Sequence, residues 1–228
     1  MQRIFGKHAA LEALKFHQHN IVRVLCTQKI LDAWKQELSE LNVQLVTSDY
    51  LNKHTGNAIH QGIVVYKKYQ YKSIKDCYED KRILILDNLQ DPNNLGTIIR
   101  SMAAFNFSTL IIQKNHTCKI TDAVAKSACG ALEHINIITV SNLLTTLQTL
   151  AQHNFWCVSL DFGKNTYKAD VDKIALIVGS EGVGLRPIIR KQCEMNLSID
   201  TSEHFSVLNV AIAASIGMFI TRSMEGTV

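Results

Sequence analysis

Apolar residues in this chain gather into short unbroken runs separated by amphipathic stretches. Ile83–Leu86, Leu110–Gln113, Ile135–Val140, Trp156–Asp161, Ile174–Val178 and Leu197–Ile199 have the length and apolar character of strands buried on both faces. Leu95–Phe105, Asp122–Ser127 and Leu143–Gln152 lie among them and predict helices, with Ile98, Ile99, Met102 and Phe105 on one apolar face of the first. A final helix is expected over Val207–Thr221. Strand–helix alternation of this kind predicts an α/β fold with a parallel sheet covered by helices. Upstream, helices at His8–Phe16 and Ile30–Leu41 with strands at Ile21–Cys26, Val43–Val46 and Gly62–Tyr66 predict a smaller α/β unit. The expected division is a small domain over residues 1–70, a linker over 71–80 and a larger domain over 81–228.

Two loops depart from what folding alone asks for. After Ile83–Leu86 the chain presents Asp87, Asn88, Asp91, Asn93 and Asn94, with Arg100 nearly two turns into the following helix. A helix N-cap needs one such residue. Five at the carboxyl end of a strand stand where open α/β sheets place their ligands. The second loop follows Ile174–Val178 and reads Gly179-Ser180-Glu181-Gly182-Val183-Gly184-Leu185-Arg186-Pro187. Its glycine spacing is G-x-x-G-x-G and not the dinucleotide fingerprint G-x-G-x-x-G. Glu181 would repel a pyrophosphate brought to the same backbone, so a neutral or cationic ligand such as S-adenosyl-L-methionine suits the loop better. A tight turn with Pro187 opening a helix accounts for the glycines but not for the carboxylate.

Composition narrows the class only a little. The chain has 228 residues, enough for a small domain plus a larger one, and a net charge of +4 that points weakly to nucleic acid. Its six cysteines show no C-x-x-C and no paired spacing, so neither a disulfide frame nor a metal site is expected. The N-terminus carries no long apolar core, and no run approaches the length of a membrane span. A reduced, cytoplasmic protein is the expectation. The connector region 67–75, rich in Lys and Tyr, reads either as a solvated linker or as an RNA-contacting strip, since lysines meet phosphates and tyrosines stack on bases.

DPNNLGTIIRS (91–101), IVGSEGVGL (177–185) and LNVAIAAS (208–215), in that order, resemble the three motifs of the SpoU (TrmH-like) RNA ribose 2′-O-methyltransferases. Lys126–Glu133 resembles the segment between the first two motifs, and Arg3–Leu14 with His60–Ile63 is similar to the small substrate-binding domain of the subgroup that modifies ribosomal RNA. The resemblance implies an L30e-like N-terminal domain and a C-terminal domain with a trefoil knot, an exception to unknotted connections. It also implies S-adenosyl-L-methionine as cofactor, RNA as substrate (rRNA before tRNA) and a homodimer. Arg100, Asn94, Glu181 and Asn209 match the family's catalytic positions, and Gly179, Ile199 and Leu208 its cofactor cradle. Asn209, placed inside an apolar helix, is expected to be buried and to need partners.

The third motif departs from the family pattern. Asp200, Thr201, Glu203 and Val207 stand where Pro, Met, Gly and Ser are usual, and Asn106 replaces a Gly. Ser206 is adjacent to the missing serine, and His204 offers an acid–base group in the same loop. Two other classes of function remain in view at this point. One is a non-catalytic RNA-binding or ribosome-assembly factor that kept the fold; the other is a nucleotide-dependent oxidoreductase, which the glycine spacing and Glu181 oppose.

Overall fold

The computed structural model describes residues 2–168, 171–202, 204 and 207–223, and these group into two compact units. The first begins with β1 (Gln2–Phe5), α1 (Lys7–Phe16), β2 (Ile21–Cys26) and α2 (Gln28–Ala33). It continues with β3 (Val43–Leu45), α3 (Ser48–Thr55) and β4 (Ile63–Lys67). Its sheet runs β1-β4-β2-β3, with β4 antiparallel to both neighbours and β3 parallel to β2. Every residue of β4 is buried, because the sheet has a core on each face. Ile63 and Val65 pack with Ala10, Ala13 and Ile30 on one side, while Val64 and Tyr66 pack with Leu25 and Leu51 on the other.

Sequence periodicity missed β1 and α3 and overextended α2. Arg3 interrupts the apolar pattern of β1, and α3 is a polar helix with Leu51 as its buried residue. The helix expected over Ile30–Leu41 leaves helical geometry at Trp34, and the chain continues to Leu41 in irregular turns.

The second unit contains β5 (Arg82–Leu86), α4 (Pro92–Ala104) and β6 (Thr109–Gln113). The chain then makes α5 (Asp122–Ala128), which groups with the first unit, and returns with β7 (Asn136–Val140). It proceeds through α6 (Leu143–Gln152), β8 (Phe155–Leu160), β9 (Lys173–Val178), α7 (Pro187–Arg190), β10 (Met195–Leu197) and α8 (Val210–Ser223). The expected parallel sheet is present, in the order β10-β8-β9-β5-β6-β7, with every neighbouring pair parallel. Near-continuous burial along β5, β6 and β9 explains why these strands read as unbroken apolar runs. α8 comes close to this sheet at Gly217, where an added Cβ would lie 3.1 Å from a Leu160 methyl and 3.4 Å from one of Leu176.

Register decides where loops can meet. Leu86 of β5 and Leu160 of β8 both stand opposite Val178 of β9. Three chain segments therefore leave the sheet side by side, at 87, 161 and 179, from the edge where parallel sheets bind ligands. Among the described residues, no helix is long and apolar enough to cross a membrane.

Residues 120–133, read from sequence as part of the larger domain, pack within the first unit. Arg3 grips Asp122 through its backbone amide (3.1 Å) and its Nε (2.7 Å). Gly130, at φ +92°, lies against α1, where a Cβ would come within 3.2–3.4 Å of Glu12 and Ala9. Lys67 donates to the Glu133 carboxylate, with side chains 4% and 2% exposed, and His17 Nε2 lies 2.9 Å from the Glu133 carbonyl. Removing one member of a buried pair leaves the other uncompensated. Glu133→Ala should therefore lower stability by about 3–5 kcal/mol, read as a fall in the urea midpoint; a midpoint unchanged from the parent would show that the pair contributes nothing net.

Candidate active site

The strand-end loop after β5 divides its polar residues between folding and chemistry. Asp87 is fully buried and takes Arg186 Nε at 2.8 Å, Nη2 at 2.7 Å and the Arg186 backbone amide at 3.2 Å. Arg186 Nη2 also reaches Gln113 Oε1 at 3.1 Å. Asn88 adopts a left-handed φ of +70°, and Asp91 caps α4 by accepting from the Asn93 amide at 2.9 Å. Asn94 joins the other motifs, while Asn88, Asp91 and Asp87 serve the turn, the cap and a buried ion pair.

The second motif forms a small closed loop. Ser180 and Gly184 exchange backbone hydrogen bonds of 3.2 and 3.0 Å, leaving Glu181, Gly182 and Val183 at the tip. Gly182 and Gly184 hold positive φ values of +82° and +68°. A Cβ on Gly179 would sit 2.2 Å from the Gly184 carbonyl carbon, so the loop folds back only over a residue with no side chain.

Three motifs meet at the Glu181 carboxylate. Asn94 Nδ2 donates to Oε1 at 2.6 Å, and Asn209 Nδ2 donates to the same oxygen at 3.1 Å and to Asn94 Oδ1 at 3.1 Å. Asn209 does not lie inside a helix, as the apolar pattern suggests. It is the exposed cap at the start of α8, accepting from the amides of Ala211 (2.9 Å) and Ile212 (3.3 Å). The helix starts at Val210, three residues later than expected, because apolar residues lining a cavity look the same in sequence as apolar residues of a helix. The cap places the positive end of the α8 dipole beside Glu181. Arg100 stands on the exposed side of α4, about 240° around the helix axis from Asn94 at ~100° per residue.

Beside the triad is a cavity of about 210 Å³ whose lining includes Gly179, Ile199 and Leu208, with Glu181 shared between cavity and triad. Leu160, Val178, Val210 and Ala213 make its lining largely apolar. The charged side chains on the described lining are Asp161 and Glu181, and no Lys or Arg is among them. Such a lining disfavours a pyrophosphate and suits an uncharged ring carried with a cationic group. Val207, at the serine position of the third motif, is 67% exposed and lines the same cavity. His204 is exposed, whereas Glu203 and Ser206 lie outside the described residues.

Cys157 and Cys193, packed in and against the core of the larger unit, are held as thiols. Burial, aided by the charge of Glu194, pushes the Cys193 thiol up to about 12, and burial raises Cys157 as well. Both are protonated and poorly nucleophilic near neutral pH. Among the described residues, no group of three or more His, Cys, Asp or Glu could hold a metal ion.

Residues 81–219 match the model of the SpoU rRNA Methylase family. The chain belongs to that family. Residues 3–72 match a second model, described as RNA 2′-O ribose methyltransferase substrate binding. A Staphylococcus saprophyticus protein named as a TrmH family tRNA/rRNA methyltransferase is 32% identical over 233 residues, covering 95% of this chain and 93% of that protein. The AdoMet-bound rRNA methyltransferase of Sinorhizobium meliloti has a similar fold, with a TM-score of 0.86 at 21% identity, covering 99% of this chain and 88% of that one. The SpoU methyltransferase AviRb of Streptomyces viridochromogenes, in complex with AdoMet, gives 0.81 at 20% identity, covering 97% and 88%.

Sequence reasoning passed over Asp161, Arg186 and Arg190, which hold this SpoU site from behind. Arg186 adjoins the second motif and could have been found there; Asp161 ends an apolar strand and carries no motif. The double role of Asn209 gives a separable test. Asn209→Ser keeps a good N-cap but loses both amide contacts. Thermal stability should change little, while methyl transfer should fall about 10- to 100-fold, the scale of a lost hydrogen bond to a charged group. Activity equal to the parent's at unchanged stability would instead assign Asn209 to the cap alone.

Proposed function

We propose that this chain uses S-adenosyl-L-methionine to methylate a ribose 2′-hydroxyl in structured RNA, with rRNA as the substrate class. One observation carries the reading: Asn94, Glu181 and Asn209, from three separate motifs, converge at the mouth of a cavity whose lining includes Gly179, Ile199 and Leu208. The cofactor, when bound, supplies an electrophilic methyl on a sulfonium. Glu181 offers that positive charge a carboxylate, while Leu208 and Ile199 offer apolar walls. Asn94 and Asn209 hold the Glu181 carboxylate in one orientation through charge-assisted hydrogen bonds.

Arg100 acts on the RNA side. Guanidinium stays protonated in proteins, which argues against a simple general base. In this reading it holds a phosphate next to the target and stabilises the oxygen as its proton leaves to solvent. Positioning of the two reactants supplies much of the rate, since aligned attack can contribute roughly 7–11 kcal/mol. The family match over residues 3–72 supports an RNA-binding role for the first unit, and the preference for rRNA over tRNA follows the Sinorhizobium meliloti rRNA methyltransferase, whose fold covers 99% of this chain.

The trefoil knot and a cytoplasmic location belong to the same reading, as does a homodimer. α8 supports the dimer. Ile212 and Phe219 are 53% and 55% exposed and lie seven residues apart on one face of the helix. A reading as a non-catalytic RNA-binding factor draws on the altered third motif, and cofactor binding by calorimetry separates the two: a wild type that binds RNA but no cofactor would be that factor.

Arg100→Ala should cut methyl transfer by roughly 10²–10³-fold and leave cofactor affinity nearly intact. RNA carrying 2′-deoxyribose at the target should bind and accept no methyl; incorporation into that RNA would move the reaction to a base. Light scattering should give twice the chain mass for the parent, and Phe219→Glu should shift it toward the monomer. A parent that is monomeric at micromolar concentration would remove the dimer.

A further inference from the structure

The loop after β8 carries a side chain that neither folding nor the residues already assigned explain. Phe162 lines the cavity and is nevertheless 66% exposed. Among the described residues it has no aromatic partner, and it belongs to none of the core clusters described there. A large ring left this open is ordinary on a loose surface loop, but this loop is strapped down at several points. Arg190 of α7 pairs with the Asp161 carboxylate, which is only 5% exposed. Asp161 Oδ1 accepts from the Phe162 amide at 2.8 Å.

Asn196 of β10 ties the remainder of the loop. Its side-chain amide donates to the carbonyls of Asp161 and Lys164, both at 3.3 Å. Its backbone carbonyl accepts from the amides of Thr166 (2.8 Å) and Tyr167 (3.0 Å), and its own amide donates to the Thr166 hydroxyl at 2.8 Å. The Asn196 side chain is itself fixed by Ser159 Oγ at 2.8 Å. Gly163, at φ +114°, turns the chain immediately after the ring. The backbone on both sides of Phe162 is therefore held, and the ring stands at the cavity wall.

We propose that Phe162 is a cofactor-recognition residue that packs its ring on the adenine, and that Asp161, Arg190 and Asn196 position it. The proposal rests on the cofactor reading above and adds the contact that selects the base. An aromatic face recognises a purine by stacking and apolar burial, without needing a hydrogen-bonding side chain. The described lining fits this, since Phe162 is its one aromatic side chain and stands among the aliphatic Leu160, Val178, Ile199 and Leu208.

Calorimetry with S-adenosylhomocysteine on the full-length protein tests it. Phe162→Ala should weaken binding about tenfold or more, with the melting temperature unchanged because the ring is mostly exposed. Phe162→Tyr should restore affinity to near the parent value, and Phe162→Leu should recover only part. Arg190→Gln should also weaken S-adenosylhomocysteine binding, and adding it to Phe162→Ala should weaken binding little further, as expected of a residue acting through Phe162. Affinity in Phe162→Ala equal to the parent's would overturn the proposal. Loss of RNA binding with cofactor affinity intact would overturn it too, and would make the ring an RNA contact. A parent that binds no S-adenosylhomocysteine would sink the cofactor reading itself, an outcome distinct from failure of Phe162 alone.

Discussion

The buried carboxylate of Asp87 requires a cation, and Arg186 supplies it through its side chain and its own backbone amide. That pair fixes more than a charge. Arg186 is the residue at which the second-motif loop returns to the fold, so pinning it to the end of β5 closes the span from Gly179 to Leu185 at its far end. One helical turn further on, Arg190 binds Asp161 at the end of β8, the strand on the opposite side of β9. The loop is thus suspended from two arginines gripping both neighbours of the strand it leaves. Glu181 can present a single carboxylate oxygen to Asn94 and Asn209 because the backbone beneath it has no other place to go. A buried pair of this sort adds little net stability, and its value here is in specifying one geometry.

The legible part of the fold was the part with strong periodicity. The unbroken apolar strands of the larger unit and the amphipathic α4 and α6 follow from burial on two faces or one, and their positions come through within a few residues. Elements held by tertiary contacts were less visible. β1 is brief, and α3 buries a single leucine, so neither leaves enough pattern to read. The start of α8 was misplaced because Val207 and Leu208 are apolar for the sake of a cavity.

The site was legible where a residue type was surplus to folding. Glu181 in a glycine loop has no conformational purpose, and Asn94 is one polar residue too many for a cap. The supporting residues were not legible, because each looks ordinary alone. Asp161 follows a strand, Arg190 ends a short helix, and Asn196 sits in a three-residue strand. Their meaning comes from sheet order, which places β8 beside β9 and β10 beside β8, and no local pattern encodes that order.

The excursion of residues 120–133 has a bearing on how the protein can be taken apart. The chain passes between the two units at three points along its length, after Gln70, after Lys119 and after Glu133. A fragment ending at residue 70 would retain Lys67 and Arg3 but would lose Glu133 and Asp122, the acids that neutralise them. The smaller unit is therefore not a bead on a string that one cut can release. Its last pieces follow the first motif in sequence, so the smaller unit is complete only once the chain has been made as far as residue 133.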